Sequence, residues 1–238
     1  MQVIPVIDLK GGVVVHARHG ARDSYRPIAS PLCRGSRPAD VVAGLLAVHP
    51  FETLYIADLD AIAGSGDHDA TVRALAEAFP RLALWVDRGL NEERACRAWL
   101  ERHGGATLVL GSEAIGETDL LRRLRDRSPR LALSLDYRAD RFLGPTEILD
   151  RVEDWPRRVI VMTLARVGSG AGPDLERLDE VRGRAPRCEI YAAGGVRDGA
   201  DLQALARRGV SGVLVATALH DRRIGPDEIA AAARSRPA

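Results

Sequence analysis

Short apolar runs recur along the chain, separated by longer stretches in which apolar positions return every three or four residues. The short runs predict buried strands at 2–7, 53–57, 82–86, 107–110, 131–135, 159–162, 189–192 and 212–215. The stretches between them predict amphipathic helices at 39–48, 69–79, 92–102, 118–127, 145–154, 174–182, 199–208 and 226–234. Asn91 and Asp198 have the chemistry of helix caps, and Pro145, Pro173 and Pro226 suit first turns. Eight strands thus alternate with eight helices. Parallel neighbours need a crossover helix and closure removes both sheet edges, so this alternation predicts one (β/α)8 TIM barrel over residues 1–238. An open doubly wound sheet would need no count of eight and would usually carry a glycine fingerprint after its first strand.

The pattern also repeats at long range. The run 53–58 resembles 158–163, and 106–112 resembles 211–217, each displaced by about 105 residues. The expectation is a barrel of two related halves, with Asp8 on the first strand matched by Asp136 on the fifth across the mouth. Residues two apart along a strand share a face, so Ala132, Ser134 and Asp136 point inward together.

Composition narrows the function. A length of 238 residues with 46% hydrophobic content provides for one large core. No run approaches the roughly 18 apolar residues of a membrane helix, and the N-terminus lacks a secretion signature, so a cytoplasmic protein without membrane contact is expected. A net charge of +1 gives no general case for nucleic acid. Cys33, Cys96 and Cys188 have no metal-ligand spacing. The expected state is a monomer or small homo-oligomer.

Candidate chemistry lies at the strand ends. The run Ile4-Pro5-Val6-Ile7-Asp8-Leu9-Lys10-Gly11-Gly12 delivers a carboxylate to an open rim, where desolvation raises its pKa towards a range useful for proton transfer. Asp8 and Asp136 facing each other can divide that labour, one taking a proton while the other gives one. Structural acids are the alternative. Asp58 and Asp60 share a strand face and read as structural or hydroxyl-binding groups, with no ligand set for a metal. Gly194-Gly195 after the seventh strand, with Thr217-Ala218-Leu219-His220 as a short helix, fits the phosphate position of such barrels. The long loop 11–38 carries Arg18, Arg22, Arg26, Arg34 and Arg37 against Asp23 alone and is a candidate lid, as is the glycine-rich 168–172. Lys10 admits Schiff-base chemistry, although Gly11 beside it favours a loop position.

The first-strand run, together with Leu133-Ser134-Leu135-Asp136, Gly111-Ser112 and Gly194-Gly195-Val196, resembles the ProFAR isomerase family of histidine biosynthesis over essentially the whole chain. Its sister is the cyclase subunit of imidazole glycerol phosphate synthase. The resemblance implies a barrel of two half-barrels that rearranges a phosphorylated aminoaldose to an aminoketose without metal or cofactor. By resemblance Asp8 is the base, Asp136 the acid that opens the sugar ring and Thr163 a hydroxyl assisting it. The two phosphate sites fall on Gly194, Gly195, Ala216 and Thr217, and on Gly111 and Ser112. Lys10, Arg18, Asp58 and Arg88 are the implied substrate contacts.

The departures matter as much. After the third strand Asp87-Arg88-Gly89 replaces three glycines, and a carboxylate there repels a phosphate unless Arg88 compensates. The Gly-Trp that stacks on the substrate's base is absent. The first-loop sequence and these changes resemble the divergent ProFAR isomerase-related paralogues. The implied partner is a small phosphorylated metabolite, either the histidine intermediate or a singly phosphorylated compound of cofactor or one-carbon metabolism. A non-catalytic barrel binding a phosphometabolite is the competing expectation.

Overall fold

The computed structural model of the chain describes residues 1–17, 24–125 and 128–234. In chain order its strands are β1 (Gln2–Lys10), β2 (Val13–His16), β3 (Arg26–Pro27), β4 (Thr53–Asp58), β5 (Ala83–Asp87) and β6 (Thr107–Gly111). They continue with β7 (Leu131–Arg138), β8 (Arg141–Leu143), β9 (Arg158–Thr163), β10 (Glu189–Ala193) and β11 (Gly212–Val215). β1, β4, β5, β6, β7, β9, β10 and β11 pair in parallel with successive neighbours. β11 then pairs back onto β1, with Ile4 opposite Leu214. The expected (β/α)8 TIM barrel is therefore closed.

Strands buried on both faces must be apolar throughout, which is why the runs are continuous rather than alternating. One set of alternating side chains, including Ile4, Tyr55, Val109, Ala132, Ile160 and Leu214, fills the lumen. Trp85 and Tyr191, from opposite strands, meet edge to face there with ring centroids 4.8 Å apart. The other set packs outward against the helices, where Leu45, Leu75 and Leu120 are almost wholly buried. Each such leucine contributes about 1.5–3 kcal/mol.

Two barrel strands run further than expected. β1 extends to Lys10 because β2 folds back on it, and β7 extends to Arg138 because β8 does the same. Asp8 and Asp136 thus sit inside strands rather than at their ends. Part of the expected loop 11–38 is consequently sheet. The two halves match in register: Asp8 lies between Val15 of its hairpin and Ala57 of the next barrel strand, and Asp136 between Leu143 and Met162. Asp58 and Thr163, which end equivalent strands, share nearly the same backbone (φ −86°, ψ 87° and φ −96°, ψ 89°) and each starts a short helical turn.

The helices Pro38–Val48, Asp69–Ala78, Glu93–Arg102, Asp119–Arg125, Leu175–Arg184, Gly199–Arg207 and Pro226–Arg234 follow the predicted pattern. The expected helix at 145–154 is instead a turn at Glu147–Asp150 and a 3-10 turn at Val152–Asp154, with the Trp155 indole donating to the Ile148 carbonyl at 2.7 Å. Asp198 caps its helix through the Ala200 and Asp201 amides. Asn91 does not cap: Glu92 holds that position, with no side-chain bond. Pro226 opens its helix, whereas Pro145 and Pro173 lie ahead of the capping residues Thr146 and Asp174. Among the described residues no helix is long and apolar enough to cross a membrane.

Candidate active site

A cavity of about 470 Å³ opens at the C-terminal mouth of the barrel, and both Asp8 and Asp136 line it. This is the face on which barrel enzymes carry their chemistry, because the βα loops can vary there without disturbing the core. Register places Asp8, Ala57 and Asp87 side by side on three successive strands. Beneath them the Tyr55 hydroxyl donates to Asp87 Oδ2 at 3.3 Å. Burial, followed by the charges of Asp87, Asp136 and Asp8, holds the Tyr55 phenol well above its usual range, so it stays protonated.

Asp136 is buried and its carboxyl is pushed up to about 7, first by desolvation and then by the charge of Asp87, with Glu113 adding to it. Hydrogen bonds oppose the rise: the Ser134 hydroxyl donates to Oδ1 at 2.7 Å and the Glu113 amide to Oδ2 at 3.4 Å. A carboxyl that is half protonated near neutrality is suited to donating a proton. A smaller recess of about 170 Å³ adjoins the main cavity, walled by Asp87, Gly89, Gly111 and Glu113.

The other end of the cavity is different. Gly194, Gly195, Ala216, Thr217 and Arg223 line it. Gly194 and Gly195 have φ of 100° and 87°, and a Cβ on Gly194 would come within 2.6 Å of the Thr163 carbonyl oxygen. Only glycine brings the backbone that close. The expected short helix is present at Thr217–His220. Arg223 follows a left-handed turn at Arg222 (φ 57°), an uncommon conformation for a residue with a side chain. The first loop is fastened here by three contacts: His16 Nε2 to Thr217 Oγ1 at 3.2 Å, Ser30 Oγ to His220 Nδ1 at 2.9 Å, and the Arg222 guanidinium donating to the Pro31 carbonyl at 2.9 Å. Burial, then the neighbouring His16, lowers His220 to about 4, so it is neutral.

Several expected site residues lie elsewhere. Thr163 is buried and donates to Asp174 Oδ2 at 3.5 Å; Met162 takes the lumen position opposite Asp136. Strand alternation therefore removes Thr163 from the cavity. Asp58 is 1% exposed and off the cavity wall, accepting from the Ala61 and His68 amides and from His68 Nδ1 at 2.7 Å. The second ring nitrogen of His68 accepts from the Gly12 amide at 3.0 Å. Asp60 accepts from the Gly11 amide at 2.7 Å. The Asp58 and Asp60 pair thus fastens the turn after β1.

Arg88 is ion-paired to Asp69, with Asp67 at 3.8 Å, and does not line the cavity. Ser112 is fully buried, donating to the Leu143 carbonyl at 2.7 Å and accepting from the Asp136 amide at 2.9 Å. Gly111 lines only the smaller recess, and Lys10 is on the wall of neither cavity. Arg18 lies outside the described residues. Of the candidate lids, Gly168 and Gly170 line the cavity, and the Gly172 amide docks on the Gly195 carbonyl at 3.1 Å. Tyr25, Tyr55, Glu113, Arg138 and Arg223 also line the cavity and were not singled out by the sequence pattern. Tyr55 alone had a local signal, two residues before Ala57 on the inward face.

A closed parallel barrel with carboxylates from separate strands over its mouth belongs to the class of (β/α)8 proteins whose chemistry sits at the strand C-termini. The chain belongs to the histidine biosynthesis protein family, whose model matches residues 2–225. It is 33% identical over 246 residues to a phosphoribosyl imidazole-4-carboxamide isomerase (ProFAR isomerase) of Rubrobacter xylanophilus, covering 97% of this chain and 96% of that one. The corresponding isomerase of Halorhodospira halophila is 29% identical over 237 residues, covering 93% and 92%. An uncharacterized protein of Methanocaldococcus jannaschii is 29% identical over 231 residues, covering 96% and 97%.

Proposed function

We propose that the protein is an acid/base isomerase converting a small phosphorylated aminoaldose to the aminoketose. The observation that carries this reading is the placement of Asp8 and Asp136 at equivalent register positions on one cavity, with Asp136 held near neutrality. Asp136 in its acid form donates a proton to the ring oxygen and opens the sugar. Asp8 as carboxylate removes the proton from the adjacent carbon and returns it at C1, while the enol hydroxyl gives its proton to the Asp136 carboxylate, which leaves the aminoketone and both acids as they began. Neither step requires a metal or nucleotide.

The phosphate rests at the end lined by Gly194, Gly195, Ala216 and Thr217, where the glycine backbone favours an anion, with Arg223, itself paired to Asp221 at 3.0 Å, on the same wall. One phosphate is accommodated rather than two. At an effective dielectric of 20, like unit charges 4 Å apart repel by about 4 kcal/mol, and the equivalent position at the ends of β5 and β6 presents the carboxyl groups of Asp87 and Glu113, with Arg88 ion-paired to Asp69. This favours a singly phosphorylated substrate over the doubly phosphorylated histidine intermediate. The test is turnover of that intermediate and of singly phosphorylated aminoaldoses by the wild type and by Asp8→Asn and Asp136→Asn. Undiminished turnover by Asp8→Asn removes the proposed base.

A further inference from the structure

The half-barrel repeat sets two short turns across the mouth from one another. The turn Leu59–Ile62 follows β4 and the turn from Leu164 follows β9, the second and sixth strands of the closed ring. Residues three apart on a helical turn share a face, and in both turns that pair is apolar: Leu59 with Ile62, and Leu164 with Val167. All four line the cavity that holds Asp8 and Asp136. The second residue of each pair leans on the glycine that follows the next strand, since a Cβ on Gly89 would lie 3.5 Å from Ile62 Cγ1 and one on Gly194 3.6 Å from Val167 Cγ2. The polar members of the two turns are engaged elsewhere. Asp60 accepts from the Gly11 amide, and Arg166 donates to the Gly172 and Pro173 carbonyls. Ile62, Met162 and Val167 pack on the lumen core yet are only half-buried, and Leu164 is half-buried beside them, so each keeps apolar surface in the open cavity.

We propose that this apolar wall holds an uncharged aromatic group carried on the substrate's nitrogen, so that the substrate is an N-aryl aminoaldose phosphate whose ring bears no acid. The inference deepens the function proposed above and rests on its placement of the phosphate and the two acids. The rearrangement leaves the bond between nitrogen and its substituent intact. The cavity must therefore house that substituent beside Asp8 and Asp136 while the phosphate occupies the Gly194–Gly195 end. Leu59, Ile62, Leu164 and Val167 meet it with apolar side chains, against which a hydroxylated or charged substituent would give up its hydration without a partner. An aromatic ring has no such hydration to lose, and the thioether of Met162 on the same cavity wall is a favourable neighbour for it. The nitrogen itself must be neutral. An alkylamine is a cation at neutral pH and is costly against an apolar wall, whereas an arylamine delocalises its lone pair into the ring and stays uncharged.

The experiment is calorimetric titration with stable aminoketose products: the 1-anilino, 1-(2-hydroxyethylamino) and 1-(2-carboxyanilino) derivatives of 1-deoxyribulose 5-phosphate, and the anilino compound without its phosphate. The proteins are the wild type, Leu164→Asn, Leu164→Met and Ile62→Thr. The anilino phosphate should bind the wild type more tightly than the hydroxyethyl compound by about tenfold or more, and more tightly than the carboxylated one. The preference over the hydroxyethyl compound should fall below about threefold in Leu164→Asn, shrink in Ile62→Thr and survive in Leu164→Met. Equal binding of the anilino and hydroxyethyl compounds to the wild type, or a preference unchanged in both Leu164→Asn and Ile62→Thr, overturns the inference and leaves the phosphate placement standing. Tighter binding of the carboxylated ring overturns it as well. The anilino compound binding equally well without its phosphate overturns the phosphate placement on which the inference rests, and failure of every compound to bind overturns both. The wild-type comparison needs no variant to fold.

Discussion

The carboxylates of Asp136 and Asp87 close on the same glycine: a Cβ at Gly111 would lie 3.2 Å from Asp136 Oδ2 and 3.6 Å from Asp87 Oδ2. The acid proposed to open the ring is therefore tuned by a carboxylate from two strands away, as well as by its own burial. The expected Asp8 partnership across the mouth is geometric; the coupling that raises Asp136 comes from Asp87.

Removing that charge should make Asp136 a stronger acid. Asp87→Asn eliminates the second-largest cause of the upward shift, while burial, the largest, remains. The alkaline limb of the rate profile, where the acid form of Asp136 is lost, should move down by about one pH unit. A limb that stays in place would show that another group sets it. Gly111→Ala should perturb the same limb by displacing Asp136, since 3.2 Å is tighter than an ordinary van der Waals contact.

Stability should report the same carboxyl with a definite sign. The folded protein holds the Asp136 proton up to about pH 7, whereas an unfolded aspartate loses it near 4. Between those values the native state binds more protons, so unfolding free energy falls as pH rises across that window and then levels. Asp136→Asn lacks this loss. It should match the wild type near pH 4 and exceed it above pH 7 by on the order of 2–4 kcal/mol, measured by urea denaturation at both pH values.

The apolar strand runs were legible locally; the Asn91 cap and a helix across 145–154 were misread locally, and what depended on distant register was not legible at all. Barrel strands buried on both faces advertise themselves as apolar runs, and eight of them with intervening helices leave few topologies. Asp8 and Asp136 followed from that. The face of Thr163 did not, because a period of two fixes relative faces along one strand, and only the pairing of Asp136 with Met162 shows which face of β9 looks inward. Arg88 was expected at the rim, but its partner Asp69 lies on a helix nineteen residues earlier. The hairpins that extend β1 and β7 were hidden in segments too short to carry a periodic signal.

The network behind β1 is a separate stability test. Asp58 is 1% exposed and accepts three hydrogen bonds, two of them from His68, whose other nitrogen holds Gly12. Asp58→Ala leaves the Ala61 and His68 donors unsatisfied in a buried place. It should cost about 2–4 kcal/mol in urea unfolding at neutral pH. A loss below about 0.5 kcal/mol would mean the network is not holding the turn.

Gly195→Ala probes the anion end without touching either acid. At φ 87° an L side chain is strained, and its Cβ would overlap the Gly172 carbonyl oxygen. Relief requires the segment from Gly168 to Gly172 to lift, breaking the bond from the Gly172 amide to the Gly195 carbonyl. Arg166 Nη1 is drawn in as well, since it donates to the carbonyls of Gly172 and Pro173 at 3.1 Å. Strain and lost contacts together should destabilise the protein by about 2–3 kcal/mol. Because Gly168 and Gly170 form part of the cavity wall, affinity for a sugar phosphate should fall at least tenfold, while the alkaline limb set by Asp136 stays where it is. Weakened binding with an unmoved pH limb would separate the anion end from the acid end. A shift of that limb would show that the two ends are mechanically coupled through β9, whose Met162 pairs with Asp136 on one side and Ala193 on the other.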